Sequence, residues 1–399
     1  MKSLPKVGII GCGYIGIISA VCYASKGMQV VGIDLNAKII SDLVSGKVPI
    51  HEPGLDVLFQ ENRDRLSFSD SYADLAGCDF IIVTVATPTQ TDGVVDLNQV
   101  TRVMQSLTEL ALDGSISESV LVFRSTMPPG TMKVIRTEAL SKGLNLRLLH
   151  YPEFLREGSA IEDLFNPPRV VIGAEDVAVF EKFRDQFLIH FEEDANTFLT
   201  SFENSEYAKY VDNSWHALKV AFGNEVAAIA NKHSVNIRDM YDIFVADNHL
   251  NISARYLRPG APYGGSCLRK DTDGLKGLAK QGQVSAPLIC SINDSNYSRI
   301  EEIVALVKSR NPSKVLIEGL SFKVGTSDVR EAVQLDVISS LSSEDINICV
   351  FDPVVEAAGN TAQNFVDAEF CATEKWDFHL RFHNLLTSEI SAIETLDLT

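Results

Sequence analysis

The chain is short of positive charge, with 35 Lys and Arg against 53 Asp and Glu, a formal net charge of -18 over 399 residues. Nucleic-acid and acidic-membrane binding both rest on clustered Lys and Arg, so this balance argues against either as a general mode. Close cysteine pairs are also missing. Seven cysteines, an odd number, read as reduced thiols and not as a disulfide framework. The eight histidines do not cluster and Cys/His spacing gives no zinc pattern, so no metal is expected. No apolar run approaches a membrane span, and Met1-Lys-Ser-Leu-Pro-Lys leads directly into a strand. A cytoplasmic protein of two or three domains is the expectation.

What is present is an alternation. Lys6–Ile10, Val30–Ile33, Phe80–Val85, Val120–Phe123, Leu146–Leu149 and Arg169–Gly173 are short apolar strands, most of them separated by helical-length segments. That predicts a parallel sheet with helices on both faces, and a ligand at the C-terminal strand ends. From Phe202 to about Arg310 strand signals nearly vanish, and Glu203–His233 reads as one long helix, a spine between domains or subunits. Lys314–Ile317, Glu331–Leu341 and Ile346–Phe351 then read as strand, helix, strand. Only 46 residues follow Pro353, with no strongly apolar strand among them, so this second α/β unit is expected to be shortened. The expected fold class is α/β: a dinucleotide-binding domain over 1–200, a helical dimerisation and substrate domain over 201–310, and a truncated Rossmann-like domain over 311–399.

Gly11-Cys-Gly-Tyr-Ile-Gly16 follows the first strand and opens a helix. Glycines there allow a tight turn and the approach of a pyrophosphate to backbone N–H groups at a helix N-terminus. Asp34, at the end of the second strand, is placed to accept ribose hydroxyls and to repel a 2′-phosphate, which favours NAD over NADP. Ala86-Thr-Pro88 and Ser125-Thr126-Met-Pro-Pro-Gly-Thr131 follow strands at the cofactor edge and read equally as plain turns.

Cys267 lies in Pro262-Tyr-Gly-Gly-Ser-Cys-Leu-Arg-Lys-Asp271, where Gly264 and Gly265 let backbone approach a ligand and the basic neighbours Arg269 and Lys270 favour a thiolate. A nicotinamide takes an alcohol to an aldehyde; a thiolate beside it can trap that aldehyde for a second oxidation. Asp271 holds a water or caps a helix. Glu153 and Glu157, four apart, would share a face of a short helix, as a general base pair or as a capped turn with Arg156 paired locally. Lys209, Asn213, His216 and Asn224 fall close to one face of the long helix, either solvated or a polar stripe over a pocket.

In their order these motifs resemble the UDP-glucose/GDP-mannose dehydrogenase family. The likeness runs from Val7 to about Pro353 and includes Ser45-Gly-Lys-Val-Pro-Ile-His-Glu-Pro-Gly-Leu55, Pro152-Glu-Phe-Leu-Arg-Glu157, Gly264-Gly-Ser-Cys-Leu268 and Gly319-Leu-Ser-Phe-Lys323-Val-Gly-Thr-Ser-Asp-Val-Arg330. Trp215, His216, Leu250-Asn-Ile-Ser253 and Tyr256-Leu-Arg-Pro-Gly260 look like its GDP-mannose branch more than its UDP-glucose branch. Arg269 stands where the family usually has a proline. The resemblance implies NAD contacts from Tyr14, Ile15, Asp34, Lys38, Thr87, Thr126, Lys270 and Arg330, beside Gly11, Gly13 and Gly16. It implies a nucleotide sugar held by Glu157, Lys209, Asn213, His216, Asn224, Tyr256, Arg258, Gly264 and Lys323, with Arg258 donated across a homodimer. Cys267 becomes the nucleophile of a four-electron oxidation to a uronate, Lys209 and Asn213 the oxyanion partners, and Glu153 with Asp271 the groups that serve hydrolysis. A role in polysaccharide biosynthesis goes with it. Rival readings are UDP-glucose oxidation, a one-step β-hydroxyacid dehydrogenase that needs no thiol, and an inactive nucleotide-binding remnant.

Overall fold

The computed structural model describes residues 4–191, 196–232, 235–248, 259–283, 286–342, 346–360, 363–387 and 390–399. In chain order the elements are β1 (Lys6–Ile10), α1 (Tyr14–Ser25), β2 (Gln29–Ile33), α2 (Ala37–Ser45), α3 (Leu55–Glu61), β3 (Leu66–Ser69), β4 (Phe80–Val83), α4 (Asn98–Leu112), β5 (Val120–Phe123), α5 (Thr131–Ser141), β6 (Arg147–His150), α6 (Ala160–Phe165), β7 (Arg169–Gly173), α7 (Val177–Gln186), β8 (Asn196–Thr200) and α8 (Phe202–Lys232). There follow α9 (Ile237–Ala246), α10 (Leu268–Gln281), α11 (Pro287–Ser309), β9 (Lys314–Glu318), α12 (Val333–Leu341), β10 (Asn347–Phe351), α13 (Pro353–Ala357), α14 (Ala368–Thr373), β11 (Trp376–Arg381) and β12 (Ala392–Asp397). Two compact units result, Met1–Val211 and Asp212–Thr399.

In the first unit eight strands run in the order β3-β2-β1-β4-β5-β6-β7-β8. All neighbours pair in parallel except β6 with β7. The order reverses between β1 and β4, and the crevice at such a switch point is where doubly wound sheets hold ligands. Period-2 alternation sends Val7, Ile9, Phe80, Ile82, Val120 and Val122 to one face, packed with α1 and α7 residues, and Ile10, Ile81, Val83, Leu121 and Phe123 to the other, packed with α4 and α5 residues. Burial on both faces is why these strands are apolar almost throughout. Tyr23, Phe80, Phe183 and Phe187 form an edge-to-face and stacked aromatic cluster beneath the sheet.

Two strands of this sheet lie outside those read from sequence. Both are at sheet edges: β3 carries Ser67 and Ser69 beside Leu66 and Phe68, and β8 leaves Phe198 and Leu199 exposed.

The second unit is a smaller α/β unit, as expected. Its sheet has four strands, β10-β9-β11-β12, all parallel, and the 46 residues after Pro353, in which no strongly apolar strand was legible, supply half of it. Trp376, Phe378 and Leu380 of β11 are buried, but Asp377, His379 and Arg381 alternate with them, which hides the strand from a search for apolar runs. Burial of those polar groups is compensated by Glu318: His379 Nε2 lies 2.9 Å from its carboxylate, Arg381 Nε donates at 3.2 Å, and the backbone N–H groups of Leu385 and Leu386 donate at 2.6 and 2.7 Å. Among the described residues no helix is long and apolar enough to cross a membrane.

Candidate active site

The glycine loop between β1 and α1 passes a steric test for a dinucleotide. Gly11 has φ +94, a left-handed conformation, and a Cβ there would press on the backbone of Thr84 and Val85. A Cβ on Gly16 would meet the Gly11 carbonyl oxygen at 1.8 Å, so α1 packs on the turn only with glycine. A Cβ on Gly13 would meet nothing within 4 Å: the space in front of the helix N-terminus is open. Gly13 offers no side-chain cap, so the first N–H groups of α1, from Tyr14 and Ile15 onward, are left for an anion. These are the three separate glycine roles of a pyrophosphate cradle.

Asp34 stands past the end of β2, its Oδ2 accepting from Cys12 N at 2.8 Å and its Oδ1 from Asn36 N at 2.8 Å. Two backbone donors hold the carboxylate beside the glycine loop. On the far side of the switch point, Thr87 Oγ1 donates to the Thr126 carbonyl at 2.6 Å and Ser125 Oγ to the Val85 carbonyl at 2.7 Å, so the loops after β4 and β5 are tied to one another. Lys38 is exposed in the first turn of α2. Replacing Asp34 with Ala is expected to raise the NAD dissociation constant by about tenfold and to narrow the margin over NADP, because hydrogen bonds to a charged group are worth about 1.5–3 kcal/mol. Fluorescence titration with both cofactors reads this; equal affinities in the parent would remove the ribose argument.

Glu153 and Glu157 do not share a helix, contrary to the reading from their spacing: 151–156 has no regular secondary structure, and Arg156 pairs with Asp163 of α6. Buried Glu153 accepts from Leu155 N at 2.8 Å and forms an ion pair with Lys209 of α8 at 2.9 Å. Burial alone would raise its carboxyl; the Lys209 ammonium, the Leu155 N–H and the Arg124 guanidinium outweigh that and hold it below the usual range. Glu206, on the same helix, was not legible as functional. Its carboxylate accepts from Gly130 N at 2.6 Å and Met132 N at 2.7 Å, which caps α5 and fixes the turn after Thr126; burial nevertheless pushes its carboxyl up to about 7.

In the second unit Cys267 is exposed and occupies the N-cap position of α10. Its basic neighbours each meet acids: Arg269 lies 3.4 Å from Glu331 and 3.8 Å from Asp336, with its guanidinium 4.5 Å from the Tyr297 ring, and Lys270 pairs with Asp271 at 3.0 Å. Cys267 stands at the N-terminus of a 14-residue helix, the end whose dipole favours an anion. Asp271 is not a cap; it is buried one turn inside α10, where its carboxylate accepts from Asn213 of α8.

The loop before the thiol is held in part by Asn293, Asn296 and Glu331, which no sequence pattern singled out. Asn296 of α11 accepts from Tyr263 N and donates to Tyr263 O, both at 2.8 Å, and the Tyr263 hydroxyl donates to Asn293. A Cβ on Gly264 would lie 2.9 Å from the Glu331 carbonyl oxygen, and Gly265, at φ +87, donates its N–H to that carbonyl at 3.0 Å. Asn224 accepts from Gly260 N at 2.9 Å and donates to Ala261 O at 3.3 Å. Lys209, Asn213 and Asn224 are buried and His216 is half-buried, so this face of α8 is not a solvated one. Lys323 is half-buried and Arg330 exposed in the irregular segment between β9 and α12, where Arg330 pairs with Asp328. Tyr256, Arg258 and Leu250–Ser253 lie outside the described residues.

Three signatures of one family match in succession: the UDP-glucose/GDP-mannose dehydrogenase NAD binding domain over residues 5–187, its central domain over 203–298 and its UDP binding domain over 316–388. The chain belongs to the UDP-glucose/GDP-mannose dehydrogenase family. It is 35% identical to the GDP-mannose 6-dehydrogenase of Azotobacter vinelandii, over 90% of this chain and 84% of that protein. To the UDP-glucose 6-dehydrogenase TuaD of Bacillus subtilis it is 32% identical, over 88% of this chain and 76% of that protein. A solved UDP-glucose dehydrogenase from Pyrobaculum islandicum superposes with a TM-score of 0.88 at 27% identity, covering 100% of this chain and 95% of the other. As a family member this is an oxidoreductase, an NAD-dependent nucleotide-sugar dehydrogenase.

Proposed function

We propose that this dehydrogenase oxidises GDP-mannose at C6 to GDP-mannuronate through a thiohemiacetal and a thioester on Cys267. The observation that carries the reading is the contrast among the thiols. Burial pushes Cys12, Cys22 and Cys371 up to about 12 and Cys78 up to about 11, and raises Cys349, whereas Cys267 is exposed at a helix N-terminus behind two glycines.

NAD supplies the hydride acceptor for each of the two oxidations, and two are reduced per sugar. The Cys267 thiolate adds to the C6 aldehyde; loss of hydride from that adduct leaves the thioester, and water releases the uronate and the thiol. Lys209 and Asn213, one turn apart on α8, donate to the successive oxyanions. Glu153, ionised beside Lys209, is in the form that takes a proton from the attacking water, and Asp271, held by Asn213, helps to place that water. Glu157, His216, Asn224, Tyr256, Arg258, Gly264 and Lys323 bind the nucleotide sugar; Lys270 and Arg330 complete the NAD contacts. The protein works as a homodimer through the central helix, in the cytoplasm, in polysaccharide biosynthesis. The GDP-mannose branch is favoured by Trp215, His216 and Tyr256-Leu-Arg-Pro-Gly260, and by the relatives matched at 34–35% identity against 32% for the UDP-glucose enzymes.

The test is stoichiometric. At saturating NAD, each GDP-mannose consumed is expected to yield two NADH and one uronate, with no free aldehyde, by absorbance and mass spectrometry. One NADH per sugar overturns the thioester route. A higher kcat/KM for UDP-glucose overturns the branch alone.

A further inference from the structure

Glu52 belongs to the motif Ser45–Leu55, to which the reaction above gives no part. It is buried, yet its carboxylate is fully engaged: Oε2 accepts from the Tyr14 hydroxyl and from Gly158 N at 2.8 Å, and Oε1 accepts from Ala160 N at 2.7 Å. Pro53 and Gly54 turn the chain immediately after it, Gly54 at φ +83, so that Leu55 N bonds to the Glu52 carbonyl at 3.0 Å and α3 starts. Local structure thus presents the side chain away from its own helix.

The three donors come from two places of different function. Tyr14 is the first residue of α1, at the helix end that receives the pyrophosphate. Gly158 and Ala160 follow directly on Glu157 and lead into α6, five and seven residues after Glu153. Burial and the neighbouring Glu52 raise the Tyr14 hydroxyl well above its ordinary value, so it remains a donor throughout the working pH range. One carboxylate oxygen is therefore shared between the cofactor helix and the segment that carries Glu153 and Glu157. Moving either donor costs the other a charge-assisted hydrogen bond in a buried site.

We propose that Glu52 is a positioning residue that couples NAD binding at α1 to the placement of the Glu153–Ala160 segment. The coupling needs only the cofactor; its consequence for substrate rests on the role proposed above for Glu157. Linkage makes it reciprocal: whatever NAD does for this segment, a ligand that orders the segment does for NAD.

Amide hydrogen exchange on the intact protein tests it. In the parent, NAD is expected to slow exchange of the Gly158 and Ala160 amides by about fivefold or more. Tyr14→Phe, which leaves both amides on Glu52, is expected to abolish that response at NAD concentrations that saturate the variant. Glu52→Gln sets an amide NH2 against these donors and is expected to speed exchange of both amides even without NAD. A mere cap on α6 would give Tyr14→Phe the parental response to NAD, and that result, or a parent in which NAD slows neither amide, overturns the proposal. In a separate arm, Tyr14→Phe is expected to raise the KM for GDP-mannose at saturating NAD. If the parent does not turn over GDP-mannose, the substrate reading fails while the exchange arm still decides the coupling; an unchanged KM in an active variant removes the consequence for substrate.

Discussion

Replacing Cys267 with Ser is expected to reduce uronate formation by about 10³-fold or more while the NAD dissociation constant stays at the parental value. A serine hydroxyl is not ionised at neutral pH and is a far weaker nucleophile than a thiolate, so the addition that makes the second oxidation possible is lost. NAD binding is spared because the glycine cradle, Asp34 and the Thr87–Thr126 tie all belong to the first unit and Cys267 to the second. Cys290→Ser, which alters a half-buried thiol outside the proposed site, is the control and should retain activity. Uronate quantified by mass spectrometry, with NAD affinity by fluorescence, separates the outcomes. A parental rate of acid formation from Cys267→Ser would remove the nucleophile from the mechanism.

Lys209→Met carries the second large effect, in two currencies. It strands Glu153 in a buried site, and breaking one half of a buried ion pair costs about 3–5 kcal/mol. It also deletes an oxyanion donor, for which a loss of roughly 10²–10³ in kcat is ordinary. Adding Glu153→Gln is expected to restore much of the stability and none of the rate, because the stranded charge is gone but the oxyanion partner is still missing. The pH dependence has a definite sign. In the parent the Glu153 carboxyl is held below its ordinary 4.5, so the pair contributes stability above that value, lost as pH falls through the depressed one. In Lys209→Met burial dominates and raises the carboxyl, so the stability gap between variant and parent should be small in acid and widen as pH rises past about 4.5. Denaturant melts from pH 4 to pH 8 read the gap; a constant gap would mean that Glu153 is not the group Lys209 neutralises.

The parts legible from sequence are those whose chemistry is local. A pyrophosphate cradle is made by six consecutive residues: the fold leaves no room for a side chain at Gly11 or Gly16, and at Gly13 the space in front of α1 is open. The Cys267 loop announces itself in the same way, and the fold adds what its spacing could not show, that Arg269 and Lys270 also meet Glu331, Asp336 and Asp271. The spacing of Glu153 and Glu157 misleads because a spacing of four makes a face only if the segment is helical, and this one is irregular, with Glu153 paired to Lys209, 56 positions away in the chain.

Glu206 and Asn296 were silent in the sequence, and Glu52, although inside the Ser45–Leu55 motif, had no role there, because a buried polar side chain is specified by its partner. Glu52 reaches Ala160 across 108 positions, Glu206 reaches Met132 across 74, and Asn296 reaches Tyr263 across 33. Each looks like an ordinary surface residue in its own stretch of chain. β11 was overlooked on the same principle, since His379 and Arg381 break its apolar pattern and only Glu318, on the neighbouring strand, makes their burial tolerable.

By itself, then, the sequence determined the alternation of strands and helices, the NAD cradle and the glycine loop around Cys267, because hydrophobic period and backbone permissiveness act over a few residues. Tertiary structure alone decided which carboxylates are ionised, which cations are already spoken for, and that Glu52 joins the cofactor helix to the Glu153–Ala160 segment, because the cost of burying a charge depends on donors that only folding brings within 3 Å.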